Sequence, residues 1–399
     1  MAEQTDPFQA LLTDKKLAST ALQDLGKLPT TQHEDWKYTR LARLAQVDWQ
    51  LPKLDQVWEK PEKTSLFSKY IIWFVDGQLR EANLPDTVQL HKRQGGLQLD
   101  FSFEKHFAPY FFELQRLSSQ EHWELIINAS LDQPLQIHYL QTQSHVVSQQ
   151  AVKVRITADA QAQIIQCFST KQEEIKAFTN YSIFAHLSTN AKLTCDFIQL
   201  ESPLAFHISN QYFLQERDSQ LTLNTFSLQA QILRNNVHIA AVDSGTSTNL
   251  NGVFLPRGQQ LFDNHIALEH RAPHQVSNQL YKGILQDSAH GVFNGRIKIF
   301  PNAQKIQGFQ SNKNILLSDK AVVDTKPELE IYANDVRCSH GTTTGEIVPQ
   351  ALFYLQSRGL SHKEAYQLLL QAFVQDCIGA VEGSDLQDYI RERILERWL

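Results

Sequence analysis

The feature that most constrains the fold is a run of short strand patterns, separated by similar turns, that begins near residue 150. Apolar and polar residues alternate along it, as at Val152, Val154 and Ile156, which is typical of a half-buried strand. Four of the turns resemble one another, and their marker residues are Asp159, Asn190, Asp218 and Ser244. These markers lie 31, 28 and 26 positions apart. A loose repeat of this length predicts a solenoid or a related repeat architecture.

Each repeat has room for two or three short strands and shows no helical pattern between its turns. A parallel β-helix fits this arrangement, and a β-sandwich is the alternative. The end coils of a solenoid carry unpaired strand edges and apolar faces, so they need a cover. Both ends of this chain carry helical patterns and are suited to that purpose.

The same patterns divide the chain into four segments. Residues 1–60 form an N-terminal helical region, which opens with an amphipathic helix over residues 7–25. Residues 61–150 are a mixed α/β lead-in to the core, residues 151–346 the β-helix core and residues 347–399 a C-terminal helical domain. The architecture we expect is therefore mainly β, with helices at both ends.

Two further helices are predicted before the core. One lies around Glu34 to Leu44 and carries Trp36 and Tyr38, whose aromatic side chains we expect to pack onto the next domain. The other covers the phenylalanine-rich stretch from Phe101 to Leu117.

The C-terminal segment carries clear helix boundaries. Pro349 stands at a first helical position, and that helix should end at Gly359. Ser361 and Glu364 have the spacing of a capping box and open a second helix, and a third begins at Ser384. The apolar face predicted for the second helix consists of Ala365, Leu368, Leu369, Ala372, Phe373, Ala380 and Val381. Together, the helices of residues 349–399 carry more apolar surface than a terminal cap requires, which suggests a partner.

Composition excludes several classes of protein. The chain has 37 basic and 43 acidic residues, a net charge of −6, and no basic block, which argues against nucleic acid as the main partner. The N-terminus has neither the basic start nor the apolar segment of a signal peptide, and no apolar run reaches the roughly 20 residues that span a bilayer. Four scattered cysteines with no Cys-x-x-Cys pair fit neither a disulfide framework nor a tetrahedral zinc site. We therefore expect a cytoplasmic protein.

Side chains with possible chemistry occur in the core segment. A window of 26 residues holds four histidines beside Asp263 and Glu269, at spacings that match no tight metal motif: His265, His270, His274 and His290. Asp243, Asp263 and Asp287 could be stacked as in carbohydrate-cleaving β-helix enzymes, although each falls in a turn signal where aspartate is wanted locally. A β-helix hydrolase or lyase therefore stays open as an alternative function.

The richest stretch is PELEIYANDVRCSHGTTTGE, from Pro327 to Glu346. If its strand pattern continues through Cys338, the period of two places Cys338 and His340 on one face. Such a pair could bind zinc, copper or an iron–sulfur centre, or form a Cys–His nucleophile. It could also be an inert half-buried cysteine beside a surface histidine.

This stretch resembles the C-terminal signature of the SufB/SufD family, the scaffold subunits of the Suf machinery for iron–sulfur cluster assembly. The resemblance is nearer to the SufD branch than to the SufB branch. Further matching segments are Trp36-Lys-Tyr-Thr39, Tyr281-Lys-Gly283, Gly291-Val-Phe-Asn-Gly295, Ala303-Gln-Lys305 and Asn314-Ile-Leu-Leu-Ser318.

The resemblance implies a right-handed parallel β-helix and a non-catalytic scaffold role. It implies a SufB-like paralogue, joined as a heterodimer near the C-terminal coils around Glu330 to His340, and a SufC-like ATPase bound through the C-terminal helices. A transient iron–sulfur cluster would be built at the paralogue interface, with no cofactor held tightly. His340 is then the candidate metal ligand and Cys338 a weaker one. The sparse cysteines favour a helper scaffold, and a SufB-type primary scaffold is the alternative.

Overall fold

The structure is a computed structural model, described here in residues 8, 28–53, 58–61, 67–104 and 110–397. The helix predicted over residues 7–25 lies outside the described residues except for Phe8.

The described part of the chain is built mainly from strands. Their bounds are Tyr70–Val75 (β1), Gln78–Asn83 (β2), Val88–Gln94 (β3), Glu121–Ile127 (β4), Leu135–Gln141 (β5), Val147–Ile156 (β6), Gln161–Thr170 (β7), Phe178–Leu187 (β8), Lys192–Leu200 (β9), Phe206–Gln215 (β10), Gln220–Gln229 (β11), Ile232–Ala241 (β12), Ser247–Phe254 (β13), Leu261–His270 (β14), Val276–Leu285 (β15), His290–Ile299 (β16), Ile306–Leu316 (β17), Val322–Ile331 (β18) and Val336–Gly345 (β19). The helices are the 3₁₀ turn Glu34–Trp36 and the α-helices Ala42–Ala45 (α1), Tyr110–Ser118 (α2), Pro349–Ser357 (α3), His362–Gly379 (α4) and Ser384–Glu396 (α5).

The strands form two sheets that enclose one interior. One sheet has the order β19-β17-β15-β13-β11-β9-β7-β5-β1-β2, and the other β18-β16-β14-β12-β10-β8-β6-β4-β3. From β4 onward, successive strands alternate between the sheets and pair in parallel, so two strands make one coil and about eight coils stack. The prediction of a mainly β chain with a solenoid core is confirmed. The β-sandwich alternative is wrong, because a sandwich of this kind pairs antiparallel strands.

The repeated turns form one corner of the solenoid. Asp159, Asn190 and Asp218 have left-handed backbone conformations with φ of 64°, 58° and 57°, which Asp and Asn tolerate better than most residues. In the fourth turn that position is Gly245, with φ of 80°, rather than the neighbouring Ser244. Turn amides bond to the next coil, as where Asp159 N–H donates to the Thr189 carbonyl at 3.1 Å. The sequence repeat is thus the repeat of this corner.

The N-terminal residues lie across the outer face of the sheet that contains β12 and β14. Trp36 is buried there against Phe111, with ring centroids 5.6 Å apart, so its predicted packing role is confirmed. The single helix predicted over residues 34–44 is wrong: the 3₁₀ turn and α1 are separate, because Thr39 between them turns inward to reach Asp263.

The helix predicted from Phe101 to Leu117 is also too long. The structure has α2 beginning at Tyr110, and Phe101 and Phe103 lie before it in irregular chain. Phe103 instead packs on Tyr212 of β10, with ring centroids 5.3 Å apart. Phe101 and Phe103 are apolar because they pack on the solenoid, so the predicted helical pattern is wrong for this part of the stretch.

The C-terminal helices begin and end close to their predicted bounds. Ser361 and Glu364 form the predicted capping box of α4. The predicted apolar face of α4 is partly wrong, because Leu368 and Ala372 are exposed. The side chains of α4 and α5 that pack on the outer face of the solenoid are Leu370, Val374, Cys377, Ile378, Leu386, Ile390 and Ile394.

Candidate functional site

The site begins with the last strand, β19, which pairs with β17 in unbroken parallel register. Cys338 lies beside Gly308, and His340 lies beside Gln310. The strand continues through both residues, so its alternation places Cys338 and His340 on the same face. Cys338 packs against the interior cluster of the solenoid, which shows that this face points inward. His340 therefore lies on the inward side of the last coil.

The Cys338 side chain is half-buried. Its Sγ lies over Gly308, at an ordinary contact distance of 3.4 Å from the position that a Cβ atom there would take. Burial raises the pKa of the Cys338 thiol, against a hydrogen bond from the Gly308 backbone that lowers it. Because the thiolate is the form that binds metal or attacks, Cys338 is a weak ligand and a weak nucleophile in this state.

His340 is exposed, since no further coil lies over β19. A neutral imidazole can ligate iron. Within the described residues, however, no group of three or more His, Cys, Asp or Glu side chains is close enough to hold a metal ion. A cluster at His340 would therefore need further ligands from outside the described residues.

The last coil, formed by β18 and β19, is open to its surroundings. Each of the two strands is the terminal member of its sheet and has one neighbouring strand in the described structure. Most residues of β19 are exposed, and those of β18 are half-buried. Large apolar side chains exposed at this end are Phe309, Val322, Ile331 and Tyr332. Unpaired strand edges beside exposed apolar residues are suited to pairing with another chain.

A second exposed apolar surface lies on α3. No residue of α3 is buried, and Phe353 and Tyr354 are 73% and 56% exposed. Val348 and Leu368 lie in the adjoining segments and are also exposed. We call these four residues the α3 patch. It contrasts with α4 and α5, which use their apolar side chains against the solenoid.

The histidines between residues 265 and 290 have separate surroundings. His270 is buried between Gln275 and Ser277, and burial lowers its pKa to about 4 although a hydrogen bond with Gln275 opposes this. His290 lies 2.7 Å from Asp324, and His274 occupies a corner turn with φ of 60°. The possible metal site in this window is not found in the described residues.

The three aspartates considered for a hydrolase are also apart. Asp243 lies in a turn between β12 and β13, whereas Asp287 lies in a turn between β15 and β16, on the opposite side of the solenoid. Asp263 is fully buried. These carboxylates are not stacked on one face, so they do not form the acidic pair that such a hydrolase needs.

Asp263 belongs to a buried charged cluster that the sequence did not indicate. We call this cluster, which consists of Trp36, Thr39, Arg234, Asp263 and His265, the N-terminal clasp. Its guanidinium comes from Arg234 of β12, which lies 2.7 Å from Asp263 and 3.8 Å from the centre of the Trp36 ring. The Thr39 hydroxyl donates to the same carboxylate, and His265 lies 2.9 Å from it. The only sequence signal was the segment from Trp36 to Thr39, which shows no partner by itself.

The remaining three cysteines are poor ligands. Burial raises the pKa of Cys167 and of Cys377 to about 12, and it raises the pKa of Cys195 still further. Their thiols are therefore protonated near neutral pH. In the part of the chain that the structure describes, no helix is long and apolar enough to cross a membrane.

Comparison with known proteins finds relatives of this chain. Residues 138–373 match the profile described as SUF system FeS cluster assembly, SufBD core domain. The chain is 28% identical over 386 residues to the iron–sulfur cluster assembly protein SufD of Escherichia coli (strain K12), covering 93% of this chain and 89% of that protein. It is 27% identical over 414 residues to an iron–sulfur cluster assembly SufBD family protein of Synechocystis sp., covering 96% and 90%. A chloroplastic protein of Arabidopsis thaliana, ABCI7, is 31% identical over 251 residues, covering 62% and 52%.

Proposed function

Because this chain belongs to the SufBD family of iron–sulfur cluster assembly proteins, we propose that it is a non-catalytic scaffold subunit of the SufD type. In this proposal it pairs with a SufB-type paralogue and a SufC-type ATPase in the cytoplasm. The iron–sulfur cluster is its cargo rather than a resident cofactor. The observation that carries the proposal is the exposed His340 on β19, one of the two unpaired edge strands of the open last coil.

The thiols support the helper role over that of a primary scaffold. A cluster commonly takes four cysteine-type ligands. Three of the four cysteines here are held protonated by burial, and Cys338 is half-buried. The paralogue would then supply the thiolates across the interface, and this chain would supply the imidazole of His340.

The open last coil is the proposed surface for the paralogue. Its exposed backbone edges can bond to a partner strand, and its exposed apolar side chains can be buried there. His340 would lie inside that interface, where water is excluded and a nascent cluster is protected.

The role of His340 is tested in the complex co-expressed with its paralogue and ATPase. We expect His340→Ala to lower the visible absorbance of the assembled cluster, while size exclusion shows the complex intact. Cys338→Ala should leave most of the cluster, and Ser339→Ala, on the opposite face of the same strand, is the matched control. Full cluster yield from His340→Ala with a normal complex would remove His340 from the site. A loss confined to Cys338→Ala would assign the ligand to the thiol.

The α3 patch is the proposed surface for the ATPase. Four large side chains there are exposed, and a soluble subunit gains by burying them against a partner. Truncation is a poor test, because α4 and α5 cover the outer face of the solenoid. We expect Phe353→Asp with Tyr354→Asp to abolish capture of the ATPase, and Gln356→Ala on the same helix to leave it. Unchanged capture by the double variant would contradict this assignment.

A further inference from the structure

We propose that Gln310 is a positioning residue for His340, because its side-chain oxygen can accept a hydrogen bond from one ring nitrogen and leave the other for iron. This inference rests on the proposed role of His340 as a cluster ligand.

The two side chains are neighbours in one inward-facing ladder. β17 and β19 pair in register, which places Gln310 directly beside His340. The residues on either side follow the same pattern: Cys338 lies over Gly308, and the Thr342 hydroxyl lies 3.4 Å from the side-chain oxygen of Asn312. Gln310 is thus the part of the previous coil that lies beneath the imidazole.

The amide of Gln310 is held in place before any partner arrives. The side chain is 3% exposed, and its Nε2 donates to Oε1 of Gln279 at 3.0 Å. Gly295 on the facing sheet makes room for it, since a Cβ atom there would lie 1.9 Å from Gln310 Nε2. The amide nitrogen is therefore held by its hydrogen bond to Gln279, in space that Gly295 leaves open, and the amide oxygen has no such bond.

That oxygen is the available acceptor. Oε1 of Gln310 is buried and has no hydrogen-bond partner among the described residues. The other side chains that share the face of His340 on β19 are less suited: the Thr342 hydroxyl already contacts Asn312 and Thr325, and a thiol such as Cys338 bonds weakly. A buried acceptor without a donor is costly, so a ring N–H turned toward it is favourable.

The contact between Gln310 and His340 would orient the imidazole for metal binding. A histidine that binds metal almost always donates its second ring N–H to an acceptor, which fixes the tautomer and the direction of the ring. Gln310 would hold the exposed ring of His340 in that way. Loss of such an acceptor elsewhere weakens metal binding by about 10- to 100-fold.

The test is a nuclear magnetic resonance measurement of the His340 ring tautomer in the apo protein labelled with ¹⁵N-histidine. The His340 signals are assigned by their absence from the spectrum of His340→Ala, at a pH where the ring is neutral. We expect wild type to show one dominant tautomer and Gln310→Met to show the mixture of a ring without a fixed acceptor. Gln310→Glu should keep the wild-type tautomer, because a carboxylate oxygen accepts the same bond and the Gln279 amide can turn to donate to it. Gln307→Met, on the exposed face of the same strand, is the control.

The outcomes separate this inference from the proposed function. Wild-type ring signals in Gln310→Met would overturn the positioning role, whatever the cluster yield. Loss of the dominant tautomer in Gln310→Glu as well as in Gln310→Met would also overturn it, since the acceptor is then not what matters. Full cluster yield from His340→Ala would instead refute the ligand role and leave the ring measurement standing.

Discussion

The N-terminal clasp allows a quantitative prediction about stability. Arg234 and Asp263 are both fully buried, and their charged groups are 2.7 Å apart. The perturbation is Arg234→Met, which keeps an apolar chain of similar length and removes the guanidinium. Asp263 then remains in the interior with Thr39 and His265 as its polar neighbours. Burial lowers the pKa of Arg234 against the pull of Asp263, but a guanidinium stays protonated at any pH at which proteins are folded.

Breaking a buried ion pair by removing one partner costs about 3–5 kcal/mol, because an uncompensated charge stays buried. We expect this loss from Arg234→Met and a similar loss from Asp263→Asn. The double variant leaves no unpaired charge, so it should lose less than the sum of the two single losses. The difference between the sum of the two single losses and the loss of the double variant is the coupling energy of the pair.

Urea unfolding followed by circular dichroism gives the free energy of unfolding of each variant. The control is Arg296→Met, which removes a partly exposed partner of Glu328 and Glu330, each at 3.3 Å, and should cost less than about 1 kcal/mol. Additive losses in the double variant would refute the reasoning, since the two charges would then not compensate each other. A loss below about 1 kcal/mol for Arg234→Met would refute it as well.

The same pair predicts a pH dependence. Burial raises the pKa of Asp263, but His265, Arg234 and hydrogen bonds from His265 and Thr39 outweigh it and bring the pKa to about 2. A carboxyl whose pKa is lower in the folded state stabilises the protein above the unfolded value of about 4, and this contribution is lost as the pH falls toward 2. It amounts to about 2 kcal/mol at 1.36 kcal/mol for each pKa unit. The difference in stability between wild type and Asp263→Asn should therefore shrink between pH 4 and pH 2, and a constant difference would contradict the assignment.

Three further predictions concern the corner turns, the C-terminal helices and the open coil. Gly245→Ala places a Cβ atom 1.9 Å from the Asp218 carboxylate at φ of 80°, so we expect a loss of about 1–3 kcal/mol by thermal or urea unfolding, and an unchanged midpoint would show that the turn adapts. Ser361→Ala removes the capping box of α4 and should cost about 1 kcal/mol in the same assay, whereas Ser357→Ala serves as its control. Val336→Pro removes one backbone donor of the last strand and should weaken pairing with the paralogue, by size exclusion, more than it lowers the melting temperature; equal losses would argue against a specific role of that edge.

The solenoid could be predicted because its corner turns depend on residue types that favour the turn conformation by themselves. Asp159, Asn190 and Asp218 adopt the left-handed conformation themselves, so the chemistry that forms each turn is visible in the sequence. The same locality explains the success with Ser361, whose partner Glu364 is three residues away. The predicted turn marker Ser244 is one residue too early, because Gly245 is the residue with the left-handed conformation in that turn.

The features that could not be predicted depend on contacts between distant parts of the chain. The apolar residues of α4 allow either of two faces, and only the solenoid surface decides that Leu370 rather than Leu368 is buried. Arg234 and Asp263 come from neighbouring coils, and Thr39 reaches them from 195 and 224 residues away. In the candidate site, β19 could be predicted to bring Cys338 and His340 to one face. That Gln310 lies beneath His340 depends on the register of two strands 30 residues apart, which no local pattern reveals.

The segments near the two ends of the chain make contacts that reach across several coils of the stack. In a simple array each coil touches only its neighbours, so such an array can unravel from its ends one unit at a time. Here Thr39 is fastened to Asp263 of β14, and Glu34 reaches Lys326 of β18 at 3.0 Å. At the other end, Arg397 reaches back to Gln229 at 2.6 Å. The two end segments thus bridge coils that are not neighbours, and β18 at the open edge loses its contact with Glu34 if it separates from the stack. The stack is therefore braced along its length as well as from coil to coil, and fraying at the proposed partner-binding edge would also break a contact with the N-terminal segment.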